Sequence, residues 1–188
     1  MVIGGTGVIG SRIVAEASAR GLAVASLSRT PPLVPAPHAE YVVDDIQDAS
    51  VLRKVVGDAD VVVSALSPRA GMEGNTAPVL RCIADHARES GTRLGVVGGA
   101  APGRPEGSPG LPEGSPGQSE RSPGRSEEPT REWLEMETVF HDLLDTPEGL
   151  DWFYVSPPAD PDLDDLARSI IDEIVEPEHH RVRVTFGG

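Results

Sequence analysis

The chain opens "MVIGGTGVIGSR", with Gly4, Gly7 and Gly10 in a G-x-x-G-x-x-G spacing three residues from the start. Glycines this close together, after an apolar pair and before an amphipathic run, fit a tight strand-to-helix turn. Such a turn lets the backbone come close to a pyrophosphate, while the helix N-terminus adds amide donors and positive dipole. The apolar lead is short against a mean strand of about 5–6 residues. It predicts a short central strand and a less firmly anchored turn, as expected of a start downstream of the usual one.

The next hundred residues give the triplet its meaning. Val2-Ile3 reads as a strand and Val8 to Ala19 as a helix with Ile9, Ile13 and Val14 inward. Gly21 ends that helix where φ must turn positive. Leu22 to Ser28 is a second strand, stopped by Pro31-Pro32, and Glu40 to Val43 a third. Asp48 can cap a helix from Ala49 to Val56, with Val51, Leu52, Val55 and Val56 on one face. Asp60 to Leu66 ("DVVVSAL") is a buried strand, Thr76 to Glu89 a helix closed by Gly91, and Arg93 to Val97 a fifth strand. Strand and helix thus alternate for almost a hundred residues. That order predicts an α/β fold, a doubly wound parallel sheet in a three-layer αβα arrangement, Rossmann-like, with its ligand crevice at the carboxyl ends of the strands.

The composition then breaks. Residues 106–126 read "EGSPGLP", "EGSPGQS", "ERSPGRS", three heptads with Ser-Pro-Gly at fixed offsets. Proline and glycine in every copy forbid a coiled coil. With few apolar side chains, 101–128 is expected to stay mobile, an expanded surface loop inserted in a single domain spanning 1–188. Order resumes with Thr130 capping a helix to about Leu144, whose core stripe and edge are Trp133, Met136, Glu137, Phe140, Leu143 and Leu144. Leu150 to Val155 is a sixth strand, Leu163 to Val175 a helix, and Arg181 to Phe186 a last strand.

Composition narrows the function. Aromatics are only 4% of the chain, so the core must rest on Val, Leu, Ile and Ala, which suits a parallel sheet covered on both faces. A net charge of −14 argues against a nucleic-acid partner, since phosphate backbones call for clustered Lys and Arg. Cys82 is the single cysteine, so an intrachain disulfide is impossible. No run of 18 apolar residues points to a membrane, and the opening glycines replace the apolar stretch of a signal peptide. A cytoplasmic location is the expectation.

At the end of the second strand stands Ser28-Arg29, where NAD-selective sites usually carry an acidic residue for the ribose 2′-hydroxyl. A hydroxyl and a guanidinium suit a 2′-phosphate instead, so NADP(H) is preferred over NAD(H), unless Arg29 is simply a solvated loop residue. "GGTGVIGSRIVAEASARGLAVASLSR", "VVDDIQDASVLRKVVGDADVVVSAL", "LGVVGGA" and "LDWFYVSPPA", in that order, resemble the atypical short-chain dehydrogenase/reductase group. The resemblance covers most of 1–100 and 130–188. It is to the NmrA-like, NAD(P)H-binding branch with its flavin/biliverdin-reductase-like members. It implies that Gly4, Thr6, Gly7, Val8, Ile9 and Gly10 form the pyrophosphate turn and that Ser28 and Arg29 meet the 2′-phosphate. It further implies Asp45 and Ile46 beside the adenine, and Ala65 and Leu66 beside the nicotinamide-side ribose.

The departures from that pattern bear on chemistry. Short-chain dehydrogenases use Tyr-x-x-x-Lys, the lysine lowering the tyrosine pKa. Lys54 is the only lysine, Ser50 stands four residues before it, and neither Tyr41 nor Tyr154 has a lysine four residues on. No catalytic residue is assigned. Relatives often place a serine after "VGGA", where this chain has Ala101-Pro102, and Ser156-Pro157-Pro158-Ala159 passes directly to the last helix, shortening the substrate wall. No metal site is expected: His179-His180 would point to opposite faces, and Asp160, Asp162, Asp164 and Asp165 fit a capped helix start better than a Ca²⁺ loop. Three functions remain: an NADPH-dependent reductase of a small molecule, a non-catalytic NADP(H) sensor signalling to a regulatory protein partner, or a decayed paralogue.

Overall fold

A computed structural model describes residues 1–99, 130–158 and 160–186. The repeat at 106–126, and the whole of the expected insertion 101–128, lies outside the described residues. The elements in chain order are β1 (Val2–Ile3), α1 (Val8–Ala19), β2 (Ala25–Ser28), β3 (Glu40–Val43), α2 (Ala49–Gly57), β4 (Val61–Ser64) and α3 (Thr76–Ser90). They continue with β5 (Arg93–Val97), α4 (Arg131–Leu144), β6 (Trp152–Val155), α5 (Leu163–Val175) and β7 (Val182–Val184). All seven strands pair in parallel in the order β3-β2-β1-β4-β5-β6-β7. The doubly wound Rossmann-like sheet expected from the alternation is the fold of the chain.

The helices cover both faces, α1 and α5 packing together on one and α2, α3 and α4 on the other. The scarce aromatics concentrate in β6. Trp152 and Tyr154 join the α2–α4 core, and Phe153, one residue out of phase, joins the α1/α5 core. Gly95 of β5 stands opposite Phe153, and a Cβ there would stand 2.5 Å from its ring. Caps follow the sequence: Asp48 accepts from the Ser50 amide, Thr130 from Trp133, and Asp162 from both Asp164 and Asp165.

Several boundaries differ from the sequence reading. The second strand begins at Ala25 rather than Leu22, because β1 places only Val2 and Ile3 opposite Ser26 and Leu27. The fourth spans Val61–Ser64 within the expected Asp60–Leu66, the sixth begins at Trp152 rather than Leu150, and the last is Val182–Val184 within Arg181–Phe186. On α4 the buried stripe is Met136, Val139 and Leu143, while Leu144 is exposed and Glu137 pairs with Arg183. Val139 is hidden from a reading that follows the larger side chains.

At the amino ends of the strands a buried ion network ties β5 to the last elements. Arg93 is 8% exposed and Glu173 only 4%. The guanidinium donates to the Glu173 carboxylate (2.6 Å) and carbonyl (2.7 Å), to Asp151 (3.0 Å) and to the His179 carbonyl (2.7 Å). Its plane lies 4.8 Å from the Phe153 ring centre. Glu173 also accepts from the Glu178 and His179 amides and pairs with the His179 ring at 2.5 Å. Burial pushes the Glu173 carboxyl up, but the hydrogen bonds from Arg93, His179 and the two amides outweigh it and hold the pKa below the ordinary glutamate value.

Breaking such a pair from one side strands the other charge, at a cost of about 3–5 kcal/mol. Arg93→Leu should therefore lower the unfolding free energy by about that amount in urea titrations; a loss near zero would show the network to be dispensable. Because the folded pKa of Glu173 is depressed, its stabilisation is present above the unfolded glutamate value of about 4.3 and is lost as pH falls through the folded value. Unfolding curves taken between pH 7 and pH 3 should show that loss below about pH 4, and Glu173→Gln should remove this component of the slope.

Candidate nucleotide-binding crevice

The site forms where the strand order reverses, between the carboxyl ends of β1 and β4. Ile3 pairs with Ser64, so Gly4 lies beside Ala65. The Ala65 amide donates to the Ile3 carbonyl (2.9 Å), and the Gly4 amide donates to the Leu27 carbonyl of β2 (2.8 Å). Gly4 has φ +84°, and an added Cβ would stand 3.1 Å from the Ala65 carbonyl oxygen. Both conditions demand glycine here. The Gly7 amide closes the turn on the Gly4 carbonyl at 3.0 Å.

Helix α1 starts immediately afterwards. Its N-cap, Gly7, supplies no side-chain hydrogen bond, and its first turn carries no acidic residue. The first intrahelical bond is Ser11 N–H to the Gly7 carbonyl, so the amides of Val8, Ile9 and Gly10 have no acceptor within the helix. Gly10 is buried under the turn, where a Cβ would collide with the Gly4 carbonyl and stand 2.9 Å from Gly5 Cα. Its part is close helix-to-turn packing.

A crevice of about 560 Å³ opens over this turn. Of the residues singled out in the sequence, Gly4, Thr6, Gly7, Ser28, Arg29, Ile46, Ala65 and Leu66 line it together. Val8, Ile9, Gly10 and Asp45 do not. Val8 is solvent-exposed, Ile9 packs toward the α1/α5 core, and Asp45 is exposed with its carboxylate accepting the Gln47 amide at 2.9 Å. Ser28 lines the crevice but is only 4% exposed, and its hydroxyl accepts the Thr6 amide at 3.2 Å. It holds the glycine turn to the end of β2. Ser26 sits two residues earlier on the same face, with its hydroxyl 3.4 Å from that of Ser28.

Arg29 is exposed and reaches across the crevice mouth to donate to the Ala70 carbonyl at 2.7 Å. It makes no other hydrogen bond among the described residues. The far wall holds residues the sequence reading missed: Ser67, Arg69, Ala70 and Met72. Ala70, Gly71 and Gly74 all have positive φ, and α4 holds this loop in place. Glu135 accepts the Gly74 and Thr76 amides, both at 2.9 Å, and Glu132 pairs with Arg69 at 2.7 Å. The clustered glycines of "RAGMEGN" were the available signal of a sharp loop; nothing local indicated that it would fold back over the crevice.

Two guanidinium groups and no carboxylate line the crevice, in a chain whose net charge is −14. Neither tyrosine is part of the lining. Tyr154 is buried, its hydroxyl donates to the Met136 carbonyl at 3.0 Å, and burial pushes its pKa well up. Tyr41 accepts the Ala36 amide at 3.0 Å. The described residues that line the crevice include no histidine, cysteine, tyrosine or lysine. No helix among the described residues is long and apolar enough to cross a membrane.

Comparison with known proteins agrees with this geometry. A provisionally designated epimerase from Bacteroides thetaiotaomicron is 25% identical, with a TM-score of 0.74 over 99% of this chain and 94% of that one. A provisionally designated NADH-flavin reductase from Streptococcus pneumoniae is 20% identical, with a TM-score of 0.69 over 99% and 97%. The dTDP-glucose 4,6-dehydratase DesIV from Streptomyces venezuelae, solved with NAD and TYD bound, is 17% identical, with a TM-score of 0.73 over 100% and 74%. These last two likenesses are of fold alone. No curated protein matches the chain. A model of the NAD(P)H-binding family matches residues 4–168, most of the chain and all of the crevice lining. The chain belongs to that NAD(P)H-binding family.

Proposed function

We propose that this protein is an NADPH-preferring oxidoreductase acting on a small planar or carbonyl-bearing molecule. The observation that carries the reading is the crevice lining, in which Arg29 and Arg69 flank a glycine turn and no carboxylate is present. A pyrophosphate fits over Gly4, Thr6 and Gly7 against the free amides of Val8 to Gly10. Arg29, just beyond the end of β2, meets a 2′-phosphate, and a carboxylate able to bind the ribose 2′-hydroxyl is missing from that position. Buried Ile46 offers an apolar wall to the adenine, with Asp45 at the rim, and Ala65 and Leu66 flank the nicotinamide-side ribose.

A bound nicotinamide supplies hydride transfer. What the chain itself adds is placement: the turn fixes the cofactor, and Leu66 and Met72, both nearly fully buried, keep the inner wall apolar. With no tyrosine–lysine pair at hand, the anion left on the substrate by hydride addition takes its proton from water. The same lack of a proton donor supports a second reading, an NADP(H)-binding sensor that acts through a protein partner.

Fluorescence titration separates these readings from a decayed site. NADPH should bind more tightly than NADH, and failure of both to bind removes both proposals. A guanidinium–phosphate contact contributes about 1.5–3 kcal/mol. Arg29→Asp should therefore weaken NADPH binding by about 10- to 100-fold while leaving NADH within about twofold; equal losses for the two would refute the 2′-phosphate assignment. The sensor and the reductase divide on turnover. NADPH oxidation with at least one of a panel of quinones, flavins and carbonyl compounds is expected, and tight binding with none consumed assigns the protein to regulation.

A further inference from the structure

The loop after β4 puts an alanine in the left-handed region at the mouth of the crevice. The Met72 amide donates to the Arg69 carbonyl at 3.1 Å, closing a four-residue turn with Ala70 and Gly71 at its centre. Both central residues have positive φ, +53° for Ala70 and +86° for Gly71. Turns of that hand favour Asn-Gly, because a Cβ crowds the backbone in the left-handed region. Strain of this kind persists only where the surroundings impose it, and it collects at functional sites.

Here the surroundings impose it from two sides. Met72, the last residue of the turn, is buried, and its carbonyl accepts the Asn75 amide (2.9 Å), the Thr76 amide (3.1 Å) and the Thr76 hydroxyl (3.0 Å). Glu135 of α4 holds the same segment through the Gly74 and Thr76 amides, and Glu73 accepts the Gly71 amide at 2.9 Å. The outcome is felt at Arg29. The Ala70 carbonyl accepts from its Nη2 at 2.7 Å, and Gly71 leaves room beside it, since a Cβ there would stand 3.4 Å from Nη1. An arginine free in solvent loses rotamer freedom when it grips a phosphate, and one already seated loses less. Nε and Nη1 of Arg29 make no hydrogen bond among the described residues, so the seated guanidinium keeps donors for a charge-assisted contact.

We infer that the Arg69–Met72 turn is a seat that presets Arg29 for a 2′-phosphate, with Gly71 and Glu135 as positioning residues that set the preference for NADPH over NADH. Neither of the two belongs to the crevice lining. The inference rests on the reading of the crevice as an NADPH site that uses Arg29. It adds that the arginine at the end of β2 is only part of the specificity device. The rest is a strained turn after β4, braced from α4.

The experiment measures NADPH and NADH dissociation constants by fluorescence for the full chain and for Gly71→Ala, Glu135→Ala, Arg29→Asp and the double variant Arg29→Asp/Gly71→Ala. Gly71→Ala forces a Cβ into the left-handed region beside Nη1. It should weaken NADPH binding about 5- to 30-fold and NADH binding by less than about twofold. Glu135→Ala acts from outside the turn and should shift the ratio of the two constants the same way, by about threefold or more. In the double variant Gly71→Ala should cost nothing beyond Arg29→Asp, because the side chain it positions is already gone. A ratio unchanged in either single variant, or losses that add in the double variant, would overturn the seat while leaving the NADPH reading intact. An unaltered chain with no preference for NADPH, or equal losses of both cofactors in Arg29→Asp, would instead overturn that reading and the seat with it.

Discussion

Two backbone hydrogen bonds at the end of β1 position the crevice: Gly4 N–H to the Leu27 carbonyl and Ala65 N–H to the Ile3 carbonyl. They bring three strands level at the point where the winding of the sheet reverses. From there the chain must leave in the left-handed region, which Gly4 allows, and turn at once into α1, which buried Gly10 allows by lying under the turn. Ser28 adds a third tie through the Thr6 amide. The crevice is therefore made mainly of backbone, and its donors are set by pairing in the sheet rather than by flexible side chains.

Charge is distributed so that the two ends of the sheet do different work. At the carboxyl ends, Arg29 meets only the Ala70 carbonyl among the described residues, Arg69 pairs with Glu132, and no carboxylate belongs to the crevice lining. At the amino ends, Arg93 is consumed by Glu173, Asp151 and the His179 carbonyl, and joins β5, β6, α5 and the approach to β7. The first arrangement leaves Arg29 without a carboxylate partner among the described residues; the second neutralises Arg93 to fix the fold. Net charge alone distinguishes neither.

Much of the architecture was legible because glycine, proline and apolar periodicity act locally. The glycine triplet, the caps at Asp48, Thr130 and Asp162, and the buried runs in β4, β5 and β6 all mark structure within a few residues. Strand ends were less legible, since a strand stops where its neighbour stops: Leu22–Val24 reads as strand but has no β1 residue opposite. Ser28 carried the opposite problem. Its hydroxyl suits a phosphate in isolation, yet the fold aims it at Thr6. The loop from Ser67 to Met72 reads as a plain connection, and only the contacts of Glu132 and Glu135, more than fifty residues later, make it a wall of the crevice.

The sequence by itself determined the winding of the sheet, the place of the glycine turn, and the lack of a tyrosine–lysine pair, because each depends on residue type at short spacing. Tertiary structure alone decided which side chains share the crevice and which are spent elsewhere. It set Arg29 against Ala70, withdrew Tyr154 into the core, and moved Gly10 beneath the turn. Those outcomes depend on register and packing between distant segments, where the nearest neighbours in space are dozens of residues away in the chain.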